Sequence, residues 1–401
     1  MSTHATASPA LPRSLWALMV GNFVIGTGVM AVPGTLGDIS ASLQVSIPQA
    51  GLLITAAAVV MGVGAPLFAT LVAGWDRRRL LTLCLLWYAL FMGISTLAPS
   101  YGWLLVLRVL AVVPPAIFTP QAAACVGLLV PDAQRGKAIT FVFLGWSVAS
   151  VAGMPLSAWI GGLFGWRWAF GLVAVLALVV AGWVWRAMPD GVRPAALSRE
   201  AWGQALGSPA LMMAVGVTLL SSFGQFTLFS YFAPYHQQVL GLSAGLLSLM
   251  FLWFGAFGLT GNVLVSRRID RLGPPRAVLI TLGGMALSLL LWPLGTSALW
   301  VQALVLVPWA LGCFSANSAQ QARLVHMAPA LAPATVALNT SAIYGGQALG
   351  AALGGGLIAQ GLMRQLHWFG LVLMLAAMAL SWQAARVQKR SPWTASTPPA
   401  A

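Results

Sequence analysis

Twelve apolar stretches, each about as long as a bilayer is thick, govern what this chain can fold into. A helix needs ~20 mostly apolar residues to cross ~30 Å of hydrocarbon. The runs at about 14–36, 48–72, 79–97, 103–129, 137–162, 167–187, 209–234, 243–266, 276–296, 298–320, 332–359 and 366–386 meet that length. Glycine and proline punctuate most gaps, at Pro99, Pro131, Pro189, Pro209, Gly241, Gly273 and Pro329. Inside lipid every backbone polar group must be bonded within the protein, and long unbroken apolar runs fit helices rather than the alternating strands of a barrel. Composition excludes the soluble alternative. The chain is 59% hydrophobic and 6% charged, against roughly 25% charged in a soluble domain. The sequence predicts an all-α membrane protein.

The charges give an orientation. With the N-terminus in the cytoplasm and strict alternation, only Arg167 and Arg364 fall outside, and Arg108 lies within a span; the other seventeen of the twenty Lys and Arg residues fall inside. The reverse orientation would oppose the positive-inside rule. Both termini are therefore expected in the cytoplasm. The polar segment 1–13 leads into an apolar run of about 22 residues, longer than the ~7–15-residue core of a cleaved signal, so it is expected to remain as the first span. The formal net charge of +14 reflects scarce acids. Basic residues beside apolar spans point to anionic lipid head groups rather than nucleic acid. Cys84, Cys125 and Cys313 fall in apolar stretches without metal-site spacing and read as small buried hydrophobes.

The chain divides into related halves. Residues 188–208 hold Pro189, Pro194, Asp190 and Glu200 and follow six spans and precede six. They read as a linker between an N-terminal half, 1–187, and a C-terminal half, 209–390. A tail at 391–401, rich in Ser, Thr, Pro and Ala, reads as disordered. Asp76-Arg77-Arg78-Arg79 lies between spans two and three, and Arg267-Arg268-Ile269-Asp270-Arg271-Leu272-Gly273 lies between spans eight and nine. Span five carries Gly145, Ala149, Gly153, Ser157 and Gly161, and span eleven carries Ala342, Gly346, Gly350 and Gly354. Small residues every fourth position line one helix face and admit another backbone closely. Both ladders are expected at interfaces with the opposite half. Parallel six-span repeats are the plan of one large transporter class.

With these features the chain resembles the major facilitator superfamily over nearly its whole length, and more narrowly its twelve-span drug and sugar efflux members, which are drug:proton antiporter-like. Asp76 to Arg79 match the acidic and basic part of the loop signature, although Val72 stands where the family has glycine; Asp270, Arg271 and Gly273 are closer to the pattern. Arg108 matches a span-four arginine. Gly145, Gly153, Pro155, Gly161 and Gly162 match the Gly-Pro-rich motif of span five, followed by Gly165-Trp166-Arg167. The resemblance implies alternating access, efflux of a small amphipathic molecule, a bacterial inner-membrane location, and a gate latch formed by Asp76, Arg77, Asp270 and Arg271. A monomer without cofactor is expected.

Mid-span polar residues outline a candidate cavity: Asn22 and Thr27 in span one, Ser221, Ser222 and Gln225 in span seven, Tyr344 and Gln347 in span eleven. Trp146, Trp253, Trp309 and Phe226 can add aromatic walls. Such a site suits a small, amphipathic or weakly charged ligand. Arg108 either holds an anionic substrate or rests against helix-end carbonyls. No carboxylate falls mid-span, and Asp38 lies at the outer end of span one. Transport is then either facilitated diffusion or coupled to protons through Asp38 or His236 near the outer mouth. Gly136-Lys137-Ala138 lacks the first glycine and the hydroxyl of a phosphate loop. The four histidines show no zinc pattern. Neither an ATPase nor another enzyme is expected; a non-transporting sensor of the same fold is the remaining alternative.

Overall fold

The structure is a computed structural model that describes residues 12–72, 74–131, 134–193 and 199–390. The tail 391–401 and the middle of the linker lie outside these residues. Among the described residues, twelve helices are long and apolar enough to cross a membrane. They are span one (Arg13–Ser42), two (Ile47–Phe68), three (Arg77–Ser95), four (Tyr101–Val126), five (Ala138–Phe164) and six (Trp166–Ala187) in the first half. In the second half they are span seven (Pro209–Leu240), eight (Ala244–Ile269), nine (Pro274–Ser297), ten (Leu299–Met327), eleven (Ala334–Ala359) and twelve (Met363–Val387). The linker contributes a short helix, Arg199–Gly207, whose Ala205 is buried against Leu211, Leu324 and Ala334 of the second half. Both ends of the described chain emerge on one face, here called the basic face.

Glycine sets the tightest connections. Gly165 (φ 94°) alone joins span five to span six, and Gly273 (φ 77°) joins the helix ending at Leu272 to span nine. That backbone conformation suits a residue without Cβ.

The two halves repeat each other in detail. Thr27 donates to the Phe23 carbonyl at 2.8 Å in span one, and Thr227 donates to the Phe223 carbonyl at 2.8 Å in span seven. Each of these stretches receives a glycine ladder. A Cβ at Gly145 would lie 2.8 Å from the Phe23 nitrogen and 2.9 Å from Asn22 Cβ. At Gly153 it would lie 2.8 Å from Thr27 Cβ, and at Gly161 3.3 Å from Thr35 Cβ. On span eleven the corresponding distances are 2.6 Å from Gly346 to Ser222 Cβ, 2.7 Å from Gly350 to the Phe223 oxygen and 2.8 Å from Gly354 to Tyr231 Cε2. This corrects the expected placement of the ladders: they join spans five and one, and spans eleven and seven, each pair within one half. Four-residue spacing states that a backbone comes close, not which backbone.

The halves meet through other positions. Gly255 of span eight sits where a Cβ would lie 2.7 Å from Val151 Cα and 2.8 Å from the Ser150 oxygen of span five. Gly62 of span two faces the Gly345 nitrogen of span eleven at 3.3 Å. Towards the face opposite the termini, Gly37 meets Gln237, Gly162 meets Ala244, and Gly51 meets the Tyr231 hydroxyl. The two halves are thus shut against each other on that face by small residues and ring edges.

Proline departures are repaired locally. Pro155 has no N–H, and the turn before it widens to a π-turn, Ala149–Gly153, in which the Met154 N–H reaches back to the Ala149 oxygen. At Pro308 of span ten the Ser288 hydroxyl is inserted into the helix: it accepts from the Trp309 N–H at 2.8 Å and donates to the Val305 oxygen at 2.6 Å.

Candidate functional site

Arg108 is buried, at 2% exposure. Its Nη2 donates to the Val29 oxygen at 3.1 Å and its Nη1 to the Gly28 oxygen at 3.2 Å. The reason lies four residues on. Pro33 stands inside span one and cannot supply the N–H that would bond Val29, so that carbonyl needs another donor. Tyr88 of span three donates to the Ile25 oxygen of span one at 3.3 Å. Of the two roles open to Arg108 from sequence, the one seen is against helix carbonyls.

Two uncharged hydrogen-bond relays lie deeper in the bundle. In the first half the Trp146 indole N–H donates to Thr119 Oγ1 at 3.1 Å, Thr119 donates to Asn22 Oδ1 at 2.8 Å, and Asn22 Nδ2 donates to the Val142 oxygen at 3.1 Å. In the second half Thr218 donates to Asn339 Oδ1 at 2.6 Å. Asn317 Oδ1 accepts from Asn339 at 3.1 Å and from Gln321 at 3.3 Å. Beside this group Ser318 donates to Asn262 Oδ1 at 2.7 Å. Asn22 and Thr218 each stand nine residues inside their spans, and Asn317 ten from the end of its helix, so the relays lie ~10–15 Å in from the basic face. Tyr344, half-buried on span eleven, packs across the halves against Val29, Ala57, Met61, Val112 and Ala116, a cluster that Trp146 also touches. Gln347 is buried and Gln225 half-buried.

Three sequence candidates lie elsewhere. Trp253 is two residues from Gly255, hence about 200° round span eight, and points away from the other half. Its indole N–H donates to the Ala303 oxygen at 2.9 Å and its ring is 38% exposed, so it is no wall of a central cavity. His236 is fully buried rather than solvated at the outer mouth. Its Nδ1 faces the Phe232 oxygen at 2.7 Å, which assigns the proton to that nitrogen, and its Nε2 faces the Gln302 amide at 3.3 Å. Phe232, Tyr235 and Trp292 rings enclose it. Asp38 accepts from the Trp166 N–H at 2.5 Å and so caps span six. It also lines a cavity of about 530 Å³ between the halves on the face opposite the termini, with Ser40, Gln237 and Gln238.

Asp76, Arg77 and Arg78 are engaged by the first half and the start of the linker. Asp76 Oδ1 accepts from the Arg79 N–H at 3.1 Å and caps span three, while its Oδ2 accepts from the Gly191 N–H at 2.7 Å. The Arg77 guanidinium donates to the Val72 and Trp75 oxygens. Arg78 pairs with Asp190 at 2.7 Å and lies over the Trp185 ring. The start of the linker is thereby moored to the loop between spans two and three. Arg271 is exposed in the last turn of its helix; the Asp270 side chain lies outside the described residues. Asp76→Ala, which removes the cap and the Gly191 contact together, is expected to cost about 1 kcal/mol. A thermal melt of the purified protein unchanged from wild type would show that this mooring carries no stability.

Sequence reading missed Thr119, Tyr88, Asn262, Asn317 and Asn339. The signal available was an amide or hydroxyl side chain inside or at the edge of an apolar run.

The comparisons with known proteins agree with this architecture. The family model described as Major Facilitator Superfamily matches residues 18–343. A chloramphenicol resistance protein of Streptomyces lividans is 32% identical over 348 residues, covering 84% of this chain and 88% of that protein. A probable sugar efflux transporter of Pasteurella multocida is 28% identical over 335 residues, covering 84% of this chain and 83% of that protein. Among solved structures, a D-xylose–proton symporter superposes with a TM-score of 0.75 at 17% identity, covering 92% of this chain and 97% of that one; at that identity the likeness speaks to the fold. Twelve apolar helices in two repeating halves, and a family match over most of the sequence, make this chain a member of the Major Facilitator Superfamily: a multi-pass membrane transporter of small molecules.

Proposed function

We propose that the chain exports small, uncharged amphipathic molecules across a bacterial inner membrane, with both termini cytoplasmic, by rocking its two halves about the paired relays. The observation that carries this reading is the pair of neutral relays, Asn22–Thr119–Trp146 and Thr218–Asn339–Asn317, at matching depth in the two halves. A cation would leave water without a countercharge there, and the nearest guanidinium, Arg108, is already held by the Gly28 and Val29 oxygens, whereas amides and hydroxyls exchange hydrogen bonds with a neutral ligand. The far face, where small residues and ring edges meet, can part without breaking an ion pair among the described residues.

Asp38 is the group we assign to proton exchange, since it lines the cavity between the halves on the far face. Sealed among rings and bonded at both nitrogens, His236 is the weaker candidate. The test is accumulation of radiolabelled chloramphenicol and of lactose in inverted vesicles under an imposed pH gradient. Accumulation by wild type that is lost in Asp38→Asn supports coupled export; Asn keeps the helix cap. Accumulation that persists in that variant removes Asp38 from the mechanism. Equilibration indifferent to the gradient makes the chain a facilitator, the reading favoured by relays without a carboxylate. Lack of any transport would leave a sensor of the same fold.

A further inference from the structure

Trp146 stands on an unusual footing. Its indole N–H starts a relay through Thr119 of span four and Asn22 of span one. That relay ends on the Val142 oxygen, one turn earlier on Trp146's own helix. Three spans therefore fix the plane of one ring, although the ring is only half-buried. A buried indole N–H needs an acceptor in any case; a single backbone oxygen serves Trp253, whereas here a chain of side chains from two other spans does so and fixes the plane of a ring that lies beside the other half. One turn further along span five begins the π-turn, where Gly255 of the other half bears on Val151 and Ser150. The ring thus sits beside a junction between the halves.

Tyr344 approaches from the other half. It too is half-buried, and it touches the same small cluster of Val29, Ala57, Met61, Val112 and Ala116. The charge nearest this cluster belongs to Arg108, whose Nη2 is bonded to the Val29 oxygen itself. Aromatic faces alone would also attract cations, but a guanidinium at this place repels them, and no carboxylate is found among the groups described around it. The surroundings offer hydroxyl and amide groups instead.

We propose that Trp146 and Tyr344 form an aromatic clamp, one ring from each half, that takes the planar ring of an uncharged solute bearing hydrogen-bonding groups, and that Thr119 and Asn22 are positioning residues for Trp146. This rests on the transporter reading above and narrows its substrate class from neutral amphipathic molecules to ring-bearing ones. Because the rings belong to different halves, rocking opens the clamp and releases the ligand.

The test uses purified full-length protein in lipid nanodiscs and three probes: chloramphenicol, an uncharged nitroaromatic amide; lactose, an uncharged polyol without a planar ring; and tetraphenylphosphonium, an aromatic cation. Wild type is expected to bind chloramphenicol in preference to both others. Trp146→Leu and Tyr344→Leu should each weaken that binding about 2- to 10-fold, while Trp146→Phe, which keeps a ring, should lose less. In proteoliposomes Thr119→Val should raise KM several-fold at unchanged kcat, and Thr119→Ser, which keeps the hydroxyl, should restore it. Preference for lactose or for the cation, undiminished binding in both leucine variants, a serine variant as impaired as the valine one, or no binding of any probe by folded wild type would each overturn the clamp. Lactose transport without chloramphenicol transport strikes the clamp alone; wild type that moves no solute strikes the transporter reading beneath it.

Discussion

Leucine at Gly145 is expected to leave little folded protein in the membrane. A Cβ there would lie 2.8 Å from the Phe23 nitrogen and 2.9 Å from Asn22 Cβ, with the Met19 carbonyl oxygen closer still. These are backbone and near-backbone atoms of span one, which cannot swing aside as the tip of a side chain can. Overpacking a well-filled site costs typically ~1–3 kcal/mol. Here the whole helix must move, which also breaks the Asn22 bond to Val142 and with it the relay to Trp146. Against a total stability of ~5–15 kcal/mol, a loss at or beyond the top of that range is severe. Gly346→Leu should behave alike, because span seven presents the Phe223 nitrogen at 2.8 Å in the same manner. Gly182→Leu on span six is the comparison, since nothing lies within 4 Å of its Cβ position. Yield from membranes and the size-exclusion profile report the outcome. Equal yields for Gly145→Leu and Gly182→Leu would refute the contact between spans five and one.

The second large effect belongs to Arg108. Leucine there strips the donor from the Val29 oxygen, which Pro33 leaves without a helix partner, and a second donor from the Gly28 oxygen, at about 1–3 kcal/mol in all. Lysine should recover part of this, because one ammonium cannot reproduce the planar fork that serves two adjacent carbonyls. The sharper test is a cycle with Pro33→Ala. Alanine restores an N–H at position 33, and the helix can then satisfy Val29 by itself. The cost of Arg108→Leu should therefore shrink by about 1 kcal/mol or more in the Pro33→Ala background. Strictly additive losses in thermal or denaturant unfolding would mean that the guanidinium serves something other than the carbonyl freed by Pro33. Transport should fall in Arg108→Leu, because the Gly28–Val29 stretch that Arg108 holds adjoins Thr27, which packs against Gly153 of span five.

The number of spans, the division into halves and the membrane as solvent were legible without coordinates. Apolar length, the spacing of breakers and the bias of basic residues are one-dimensional properties, and the bilayer reads them along the chain. The glycine ladders were legible as close-contact surfaces for the same reason: period four marks one face of a helix. What each face meets depends on how the helix is rotated and which neighbour lies beside it, and hydropathy carries neither quantity. The ladders therefore joined helices within a half, Trp253 turned away from the centre, and His236 went into a ring-lined pocket although its neighbours Gln237 and Gln238 line the cavity that holds Asp38. The relay of Asn22, Thr119 and Trp146 joins residues from three spans separated by up to 124 positions. Only the packed bundle brings them within 3.1 Å of one another in sequence, because hydrogen bonds inside hydrocarbon are set by which polar atoms the packing leaves facing each other.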